Sequence, residues 1–459
     1  MMKDMTQGPV GRHILGMASF IALSTMFQTL YLLVDLYFVG RLGKEAIAGV
    51  AMAGSLTFLV LALTQALAVG TTALIANALG RKDRDRAELL FNQSLVLSVL
   101  VGVAFFAVAF ATRGFYCRRL AADAATAALG ERYLGWYVPA LFLQFVLVAM
   151  GAALRGLGDV KIPTLIQVGT IIVNIVLAPV LIFGWGTGRA FGVAGAAMAS
   201  FIAIVLGLIA MILYFEHEKS HLRFRVEQWP PRLPLWGAIL KIGLPAGGEF
   251  ALLTGYLLIV YAIIRPFGAA AQAGFGIGGR VMQSMFLPAV AVAFATAPVA
   301  GQNFGARLGS RVRGAFYFSA IMTGIVMLLL TLLCHVAPEA MIRFFNNDPD
   351  VVAFGADYLR IISWNFIASG VVFVSGSVFQ AMGNTLPPLA CSATRLVVFA
   401  VPAVMMSRGA HFQMRHLWYL SVATVAFQMV VNMALLQREF RRKLNFEELP
   451  EISGAAVRT

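Results

Sequence analysis

The second half of this 459-residue chain repeats the first at a constant separation of 225 residues. Gly43, Ala46, Gly49 and Gly54 return as Gly268, Ala271, Gly274 and Gly279, and Thr71, Gly80 and Arg86 return as Thr296, Gly305 and Arg311. Asp123, Tyr133, Leu134, Gly158 and Pro163 follow as Asp348, Tyr358, Leu359, Gly383 and Pro388, still without a gap. So long a period in an apolar chain is not a solenoid repeat. It describes two copies of one membrane bundle, with any site placed between them, as in transporters.

The apolar character decides the solvent. Hydrophobic residues make up 60% of the chain, charged ones only 12%, and the mean hydropathy is +0.82. A water-soluble fold could not hide that much apolar surface, so lipid is the solvent. Twelve apolar runs are long enough to cross a bilayer. The first six are 14–38, 46–79, 89–112, 133–154, 162–183 and 192–214. The second six are 238–264, 271–303, 314–336, 358–380, 387–407 and 416–437. The fold class expected is therefore an all-α polytopic membrane protein of two six-helix bundles. An even number of spans per copy makes both copies enter from one side, so their pseudo-twofold axis runs along the membrane normal. The second span of each copy is long and rich in Gly and Ala, which predicts a tilt or bend.

Residues 1–215 form the first lobe, 216–236 a linker, 237–440 the second lobe and 441–459 a tail. A net charge of +14 would suggest nucleic acid for a soluble chain, but here it follows the topology. The basic stretches 81–86, 219–225 and 441–443 all fall on one side, which predicts cytoplasmic termini. The bias is moderate, because Arg118 and Arg119 fall on the other side. No nucleic-acid partner is expected. Cys117, Cys334 and Cys391 are isolated, so neither a disulfide framework nor a metal site is expected. His217 and His221 in the linker have helical i,i+4 spacing but read as a solvated helix end rather than a metal pair. The N-terminus shows no signal-peptide cleavage pattern. No loop is long enough for a catalytic domain and no phosphate-binding Gly-Lys-Ser/Thr motif occurs, so neither an enzyme nor an ATP-driven pump is expected.

Polar residues inside apolar spans are the candidates for function. Ser24, Gln28, Tyr31 and Asp35 are spaced 4, 3 and 4 and share one face of the first span. A stripe ending in a carboxylate faces the bundle interior or a water cavity, where Asp35 could take and release a proton; alternatively, Asp35 pairs with Arg41 at the membrane surface. Gln167, Thr170 and Asn174 form a second face on the fifth span, either as part of that network or as glue between helices. Glu249 follows Pro245, Gly247 and Gly248 on the seventh span. It reads as a gate or ion site, or as an acid favoured by the helix N-terminus. Its repeat counterpart is Ser24, and that of Asp35 is Val260, so the acids differ between copies. Arg280 and Arg395 are buried by position and can neutralise an acid, bind an anionic group or tie helices through backbone carbonyls. Some of the 35 Phe and 20 Met could line an adaptable cavity.

Together these residues resemble the multidrug and toxic compound extrusion (MATE) family, prokaryotic branch, over nearly the whole chain. The resemblance rests on VDLYFVGRLGKEAIAGVAMAG at 34–54, ALRGLGDVKIPT at 153–164 and NIVLAPVLIFG at 174–184 followed by FGVAGAAMAS. In the second copy it rests on FGAAAQAGFGIGGRV at 267–281 and FQAMGNTLPP at 379–388. It implies two six-helix lobes around a V-shaped cavity in the bacterial inner membrane. Asp35 falls on the family's first-helix acid, with Gln28, Tyr31 and Asn174 as companions, and Glu249 on the acid typical of the sodium-linked branch. Three positions depart from the family pattern: Phe20 stands where a Pro is common, Ala178 where many members have Asp, and Ser369 or a neighbour where the sodium-linked branch has Asp.

The resemblance implies a secondary-active antiporter that works as a monomer, needs no cofactor beyond an ion gradient and exports amphipathic organic compounds, chiefly cations, against protons. Glu249 without a second acid is a thin sodium site, so proton coupling is favoured over sodium. A lipid or lipid-linked saccharide flippase would want more cationic residues than Arg280 and Arg395. A membrane sensor or scaffold would want a sizeable soluble domain.

Overall fold

Within lipid, backbone polar groups must be satisfied inside the chain, and among the described residues every regular element is a helix. The computed structural model describes residues 4–121, 123–186, 188–217, 222–409 and 411–446, without the side chains of Leu32, Leu33, Asp35, Leu36 and Lys44. The first half folds as α1 (Val10–Gly40), α2 (Lys44–Gly80), α3 (Arg84–Leu120), α4 (Ala124–Gly156), α5 (Lys161–Phe183) and α6 (Val193–His217). The second folds as α7 (Leu233–Ile264), α8 (Gly268–Gly305), α9 (Gly309–Val336), the short α10 (Pro338–Arg343), α11 (Pro349–Ile362), α12 (Asn365–Ala381), α13 (Leu386–Ser407) and α14 (Met414–Lys443). The two-bundle fold expected from the repeat is present.

Three spans differ from the apolar runs. The tenth is not one helix but the pair α11 and α12, bent by 55° at Ser363 and Trp364. No proline marks the break. The Ser363 carbonyl is taken by the Thr331 hydroxyl at 2.9 Å, so this break leaves it satisfied. Helices α3 and α4 also run past the expected ends at 112 and 133. Arg113 shows why: its guanidinium lies 3.8 Å over the Phe110 ring, so its stem stays apolar while its charge leaves the span. Helix α2 is continuous for 37 residues, about 55 Å, too long for a bilayer core of about 30 Å without tilt or overhang.

The repeat glycines and acids are explained by backbone geometry. Asp123 and Asp348 are N-caps, accepting from the Thr126 amide at 2.7 Å and the Asp350 amide at 2.9 Å. Gly158 and Gly383 adopt left-handed φ of 84° and 71° in the caps that end α4 and α12. Lys82 and Arg307 hold φ of 60° in the matching caps of α2 and α8. There the Asp83 amide reaches the Ala78 carbonyl and the Leu308 amide reaches that of Asn303, each at 2.9 to 3.0 Å.

The face that carries the N-terminal segment and the end of α14 is the terminal face; the opposite one is the far face. At the terminal face the lobes touch backbone to backbone. A Cβ on Gly80 would overlap the Gln302 carbonyl, and one on Gly305 would overlap that of Asn77, positions that exchange under the 225-residue repeat. The Asn77 amide donates across to the Ala381 carbonyl at 3.0 Å, and the Gln302 amide to that of Gly156 at 3.2 Å, again as repeat partners. A second seam joins α2 to α7, where Gly70 faces the Ile239 carbonyl and Gly243 that of Ala66. At the far face, by contrast, the buried clusters stay separate. One joins Val39, Ala53, Leu134 and Ala197 of the first half; the other joins Ile264, Phe275, Phe399 and Trp418 of the second. The molecule is closed at the terminal face and divided at the far face.

The terminal-face end of each half's first helix crosses to the opposite bundle. Met5, Ile14, Met17 and Ile21 are buried with Val299, Phe316, Phe379 and Phe440 of the second half. Ile239 of α7 is buried with Val60, Leu67 and Phe145 of the first half. The Met5 amide donates to Gln302 Oε1 at 3.1 Å, and Arg311 donates to the Gly8 carbonyl at 2.9 Å. The linker is fastened to α3. Asn92 Oδ1 accepts from the Arg225 amide at 3.0 Å and the Trp229 indole at 3.3 Å, Gln93 Oε1 accepts from the Arg232 amide at 2.9 Å, and Arg225 pairs with Glu88. His221 and the tail beyond residue 446 lie outside the described residues.

The seam is tight enough to cross-link. A Cβ built on Gly301 falls 2.9 Å from the Ala76 Cβ, slightly closer than a disulfide prefers, so a small shift admits one. Oxidation of the Ala76→Cys, Gly301→Cys double variant is expected to remove both new thiols from maleimide labelling and to hold the terminal face shut. Thiols that stay fully reactive after oxidation would show that the seam is open in the membrane.

Candidate functional site

Buried polar side chains in lipid need partners, and in the first half they find them on α1, α5 and α6. Ser24 donates to Gln167 Oε1, joining the two polar faces expected from the sequence. Tyr31 and Asn174 meet through Ser200 of α6: the tyrosine hydroxyl lies 3.1 Å from its Oγ, and Asn174 Nδ2 donates to it at 3.0 Å. Asn174 is buried, while Gln28 is exposed on the isolated chain. Asp35 sits one helical turn beyond Tyr31 on α1, with its side chain outside the described residues. Arg41, its alternative partner at the surface, has its guanidinium 4.7 Å over the Tyr37 ring and donates to the Tyr37 hydroxyl.

The second half carries a related network. Tyr256, the repeat partner of Tyr31, places its hydroxyl 3.1 Å from Ser421 Oγ, and Asn365 Nδ2 reaches the same oxygen at 3.4 Å. Nearby, Gln428 donates to Ser392, the repeat partner of Gln167, at 3.0 Å. Ser200, Ser421, Asn365 and Gln428 were not among the residues singled out from the sequence. A serine on an apolar helix gives no signal alone, but the return of Tyr31 as Tyr256 at the repeat distance is a signal that would have found the second hub.

Glu249 and the two arginines are less paired. Glu249 is half-buried on α7, and among the described residues its carboxylate makes no hydrogen bond or ion pair. Arg395 of α13 has its guanidinium carbon 5.2 Å over the Tyr256 ring, while its buried Nε has no partner. Arg280 corrects the expectation of burial: it is exposed, next to exposed Gln283 and Ser284. These three share one face of α8. The opposite face is occupied by Gly274 and Gly278 packing on α11, which leaves the Arg280 face uncovered. Among the described residues no three His, Cys, Asp or Glu side chains gather to hold a metal ion.

Two six-helix lobes joined at one face, each with a buried polar network of its own, define a membrane transporter of the two-bundle class. The MatE family model matches residues 21–180 and 245–406, once in each lobe and over more than half of the chain, so the chain belongs to the MATE family of multidrug efflux transporters. It is 27% identical over 403 residues to "Probable multidrug resistance protein YpnP" of Bacillus subtilis, covering 87% of this chain and 88% of that protein. It is 22% identical to the FAD transporter of Shewanella oneidensis, covering 87% and 89% of the two chains. A solved structure described as the outward-facing conformation of a multidrug resistance MATE family transporter superposes with a TM-score of 0.89, at 21% identity, over 96% of this chain and 98% of that one.

Ser200 is the shared acceptor of the first network, so its loss unties two helices at once. Ser200→Ala is expected to lower stability by about 1–3 kcal/mol, because buried Asn174 loses its acceptor and Tyr31 loses one of its contacts. Added to Tyr31→Phe it should cost less than the sum of the two single changes. Thermal unfolding of the four proteins in detergent checks this; strict additivity would show that Tyr31 and Ser200 do not interact.

Proposed function

We propose that the chain is a secondary-active antiporter that exports amphipathic organic compounds, cations among them, in exchange for protons. The reading is carried by the reciprocal seam at the terminal face, which joins the lobes through Asn77, Gln302 and paired glycines while the far face stays divided. A two-lobed body closed at one face and divided at the other is one end state of alternating access. With the terminal face cytoplasmic, as the basic loops favour, the cleft would open outward. The first-lobe network supplies the proton step. Asp35, one turn from Tyr31 on α1, would take a proton from the outside, and the Tyr31, Ser200 and Asn174 bonds would rearrange around it. Coupling requires only that proton and cargo prefer different states of the seam.

Family membership supports export of several compounds, and the names of the relatives add multidrug export and FAD transport as precedents. The sodium alternative rests on Glu249, which has no second carboxylate assembled with it among the described residues. Sodium prefers several oxygen ligands, so the proton reading is favoured.

The reading is tested in proteoliposomes loaded with a fluorescent cationic dye under an imposed proton gradient, with sodium equal on both sides. Wild-type protein is expected to move dye uphill. Asp35→Asn should reduce gradient-driven movement by about a hundredfold while retaining dye binding, since it removes the titrating group and little of the cavity. Uphill movement that survives in Asp35→Asn but stops in Glu249→Gln, and that follows a sodium gradient, would replace the proton with sodium.

A further inference from the structure

The repeat makes the two walls of the cleft directly comparable, and they are not alike. On α2 the exposed stripe reads Ala51, Ser55, Phe58 and Leu59, with Phe58 72% exposed and Leu59 50%. The same positions on α8 are Gly276, Arg280, Gln283 and Ser284. One wall is therefore aromatic and aliphatic, and the other cationic and hydrogen-bonding. Ser284 is satisfied by the Arg280 carbonyl at 3.1 Å, but Arg280 and Gln283 side chains facing lipid would have to be desolvated without a partner, so this stripe faces the cleft.

Arg395 adds a second cation on the same lobe. Its position in the first lobe is Thr170, whose hydroxyl is satisfied by the Gln167 carbonyl at 2.7 Å. Arg395 instead lies over Tyr256 with Nε buried and unpaired, and among the described residues no carboxylate pairs with it or with Arg280. Tyr256 is itself held by Ser421 and packed on Phe399 with ring centroids 4.8 Å apart and planes tilted by 50°, so the platform under the guanidinium is braced on two sides.

The two arginines lie at a common depth. Helices α7 and α8 meet near the far face, where the Tyr261 hydroxyl is 3.6 Å from the Cβ direction of Gly276 and Tyr261 packs edge-on to Phe275 at 5.0 Å. From that contact, four residues down α8 reach Arg280, a descent of about 6 Å, and five down α7 reach Tyr256 and its stacked Arg395, about 7.5 Å. Glu249, seven residues further along α7, lies about 10 Å deeper. The nearest described acid on this helix thus leaves both guanidiniums unneutralised.

We infer that the second lobe carries an anion subsite, formed by Arg395 on its Tyr256 platform and by Arg280, that takes the carboxylate or phosphate of a cargo whose aromatic body lies against Phe58 and Leu59. A guanidinium whose N–H donors lack protein partners is suited to an oxyanion, and a half-buried one binds it more strongly than a solvated one. The cargo range thereby extends from cations to organic anions and zwitterions. The subsite deepens the export reading but does not depend on it, since binding precedes movement.

The test uses two dyes that share one xanthene body and differ in charge, carboxyfluorescein and rhodamine 6G, titrated by fluorescence anisotropy with the detergent-purified full chain. Wild type is expected to bind carboxyfluorescein saturably. Arg395→Gln should weaken it by about tenfold or more and Arg280→Gln by at least about threefold, while Arg395→Lys keeps most of the affinity. Rhodamine 6G binding should not weaken in any variant. Arg280 is exposed, so Arg280→Gln folds even where Arg395→Gln does not, and size-exclusion profiles identify that case. The subsite is overturned if wild type does not bind carboxyfluorescein saturably, or if every folded variant binds it as wild type does. Rhodamine 6G extrusion under a proton gradient, run separately, reports on the export reading alone.

Discussion

The contact on which the rest of this molecule depends is the meeting of two backbones at glycine. In lipid there is no hydrophobic drive to bring one helix bundle against another, since the tails are as apolar as leucine. Association has to come from close packing and from hydrogen bonds across the interface, and both require the main chains to approach. Gly80 and Gly305 allow that approach, and the Asn77 and Gln302 amides use it to reach carbonyls on the opposite lobe. A joint of this kind has few side chains to interlock. It can form and part without repacking a core, while the clusters inside each lobe stay whole.

Above the joint the halves share a plan but not a chemistry. Each builds a hub from a tyrosine on its first helix and a serine on its last, Tyr31 with Ser200 and Tyr256 with Ser421. Around the first hub the described partners are neutral amides and hydroxyls. Around the second, a stacked arginine stands close by and an acid lies deeper along the same helix. Duplication supplied the frame, and divergence of single positions, Ser24 to Glu249 and Thr170 to Arg395, placed charge in one copy only.

Much of the architecture was legible in the sequence because the repeat kept what the backbone requires. Gly158 and Gly383 end helices in left-handed caps, Asp123 and Asp348 start them, and Gly49 and Gly274 let α2 and α8 lie against neighbouring amides of their own lobes. These roles tolerate few residues, so the identities persisted. The break at Ser363 was not legible, because the helix parts without Pro and the repair comes from Thr331, far off in sequence. The extra length of α3 and α4 was hidden by arginines whose stems are apolar even though their heads are not. At the site, the stripes on the first and fifth spans were readable from their spacing. Ser200 was not, since one hydroxyl on an apolar helix becomes a hub only when two other helices aim at it. Burial of Arg280 was inferred from its place in an apolar run, which does not tell a lipid-facing stripe from one lining a cleft.

The crossing of α1 and α7 changes what counts as a half. In the chain the division falls in the linker; in the body it falls partway along the first helix of each copy, because the terminal-face part of α1 is buried against the second bundle and that of α7 against the first, while Val39 and Val260 near their far ends stay with their own bundles. Each bundle has thus lent the start of its opening helix to the other and received the equivalent in return. That is the geometry of a domain-swapped dimer joined into one polypeptide, and such exchange is a low-cost way for identical subunits to associate. A single six-helix ancestor with the same opening segment would already have been able to dimerise by trading it, before any linker existed to make the trade permanent.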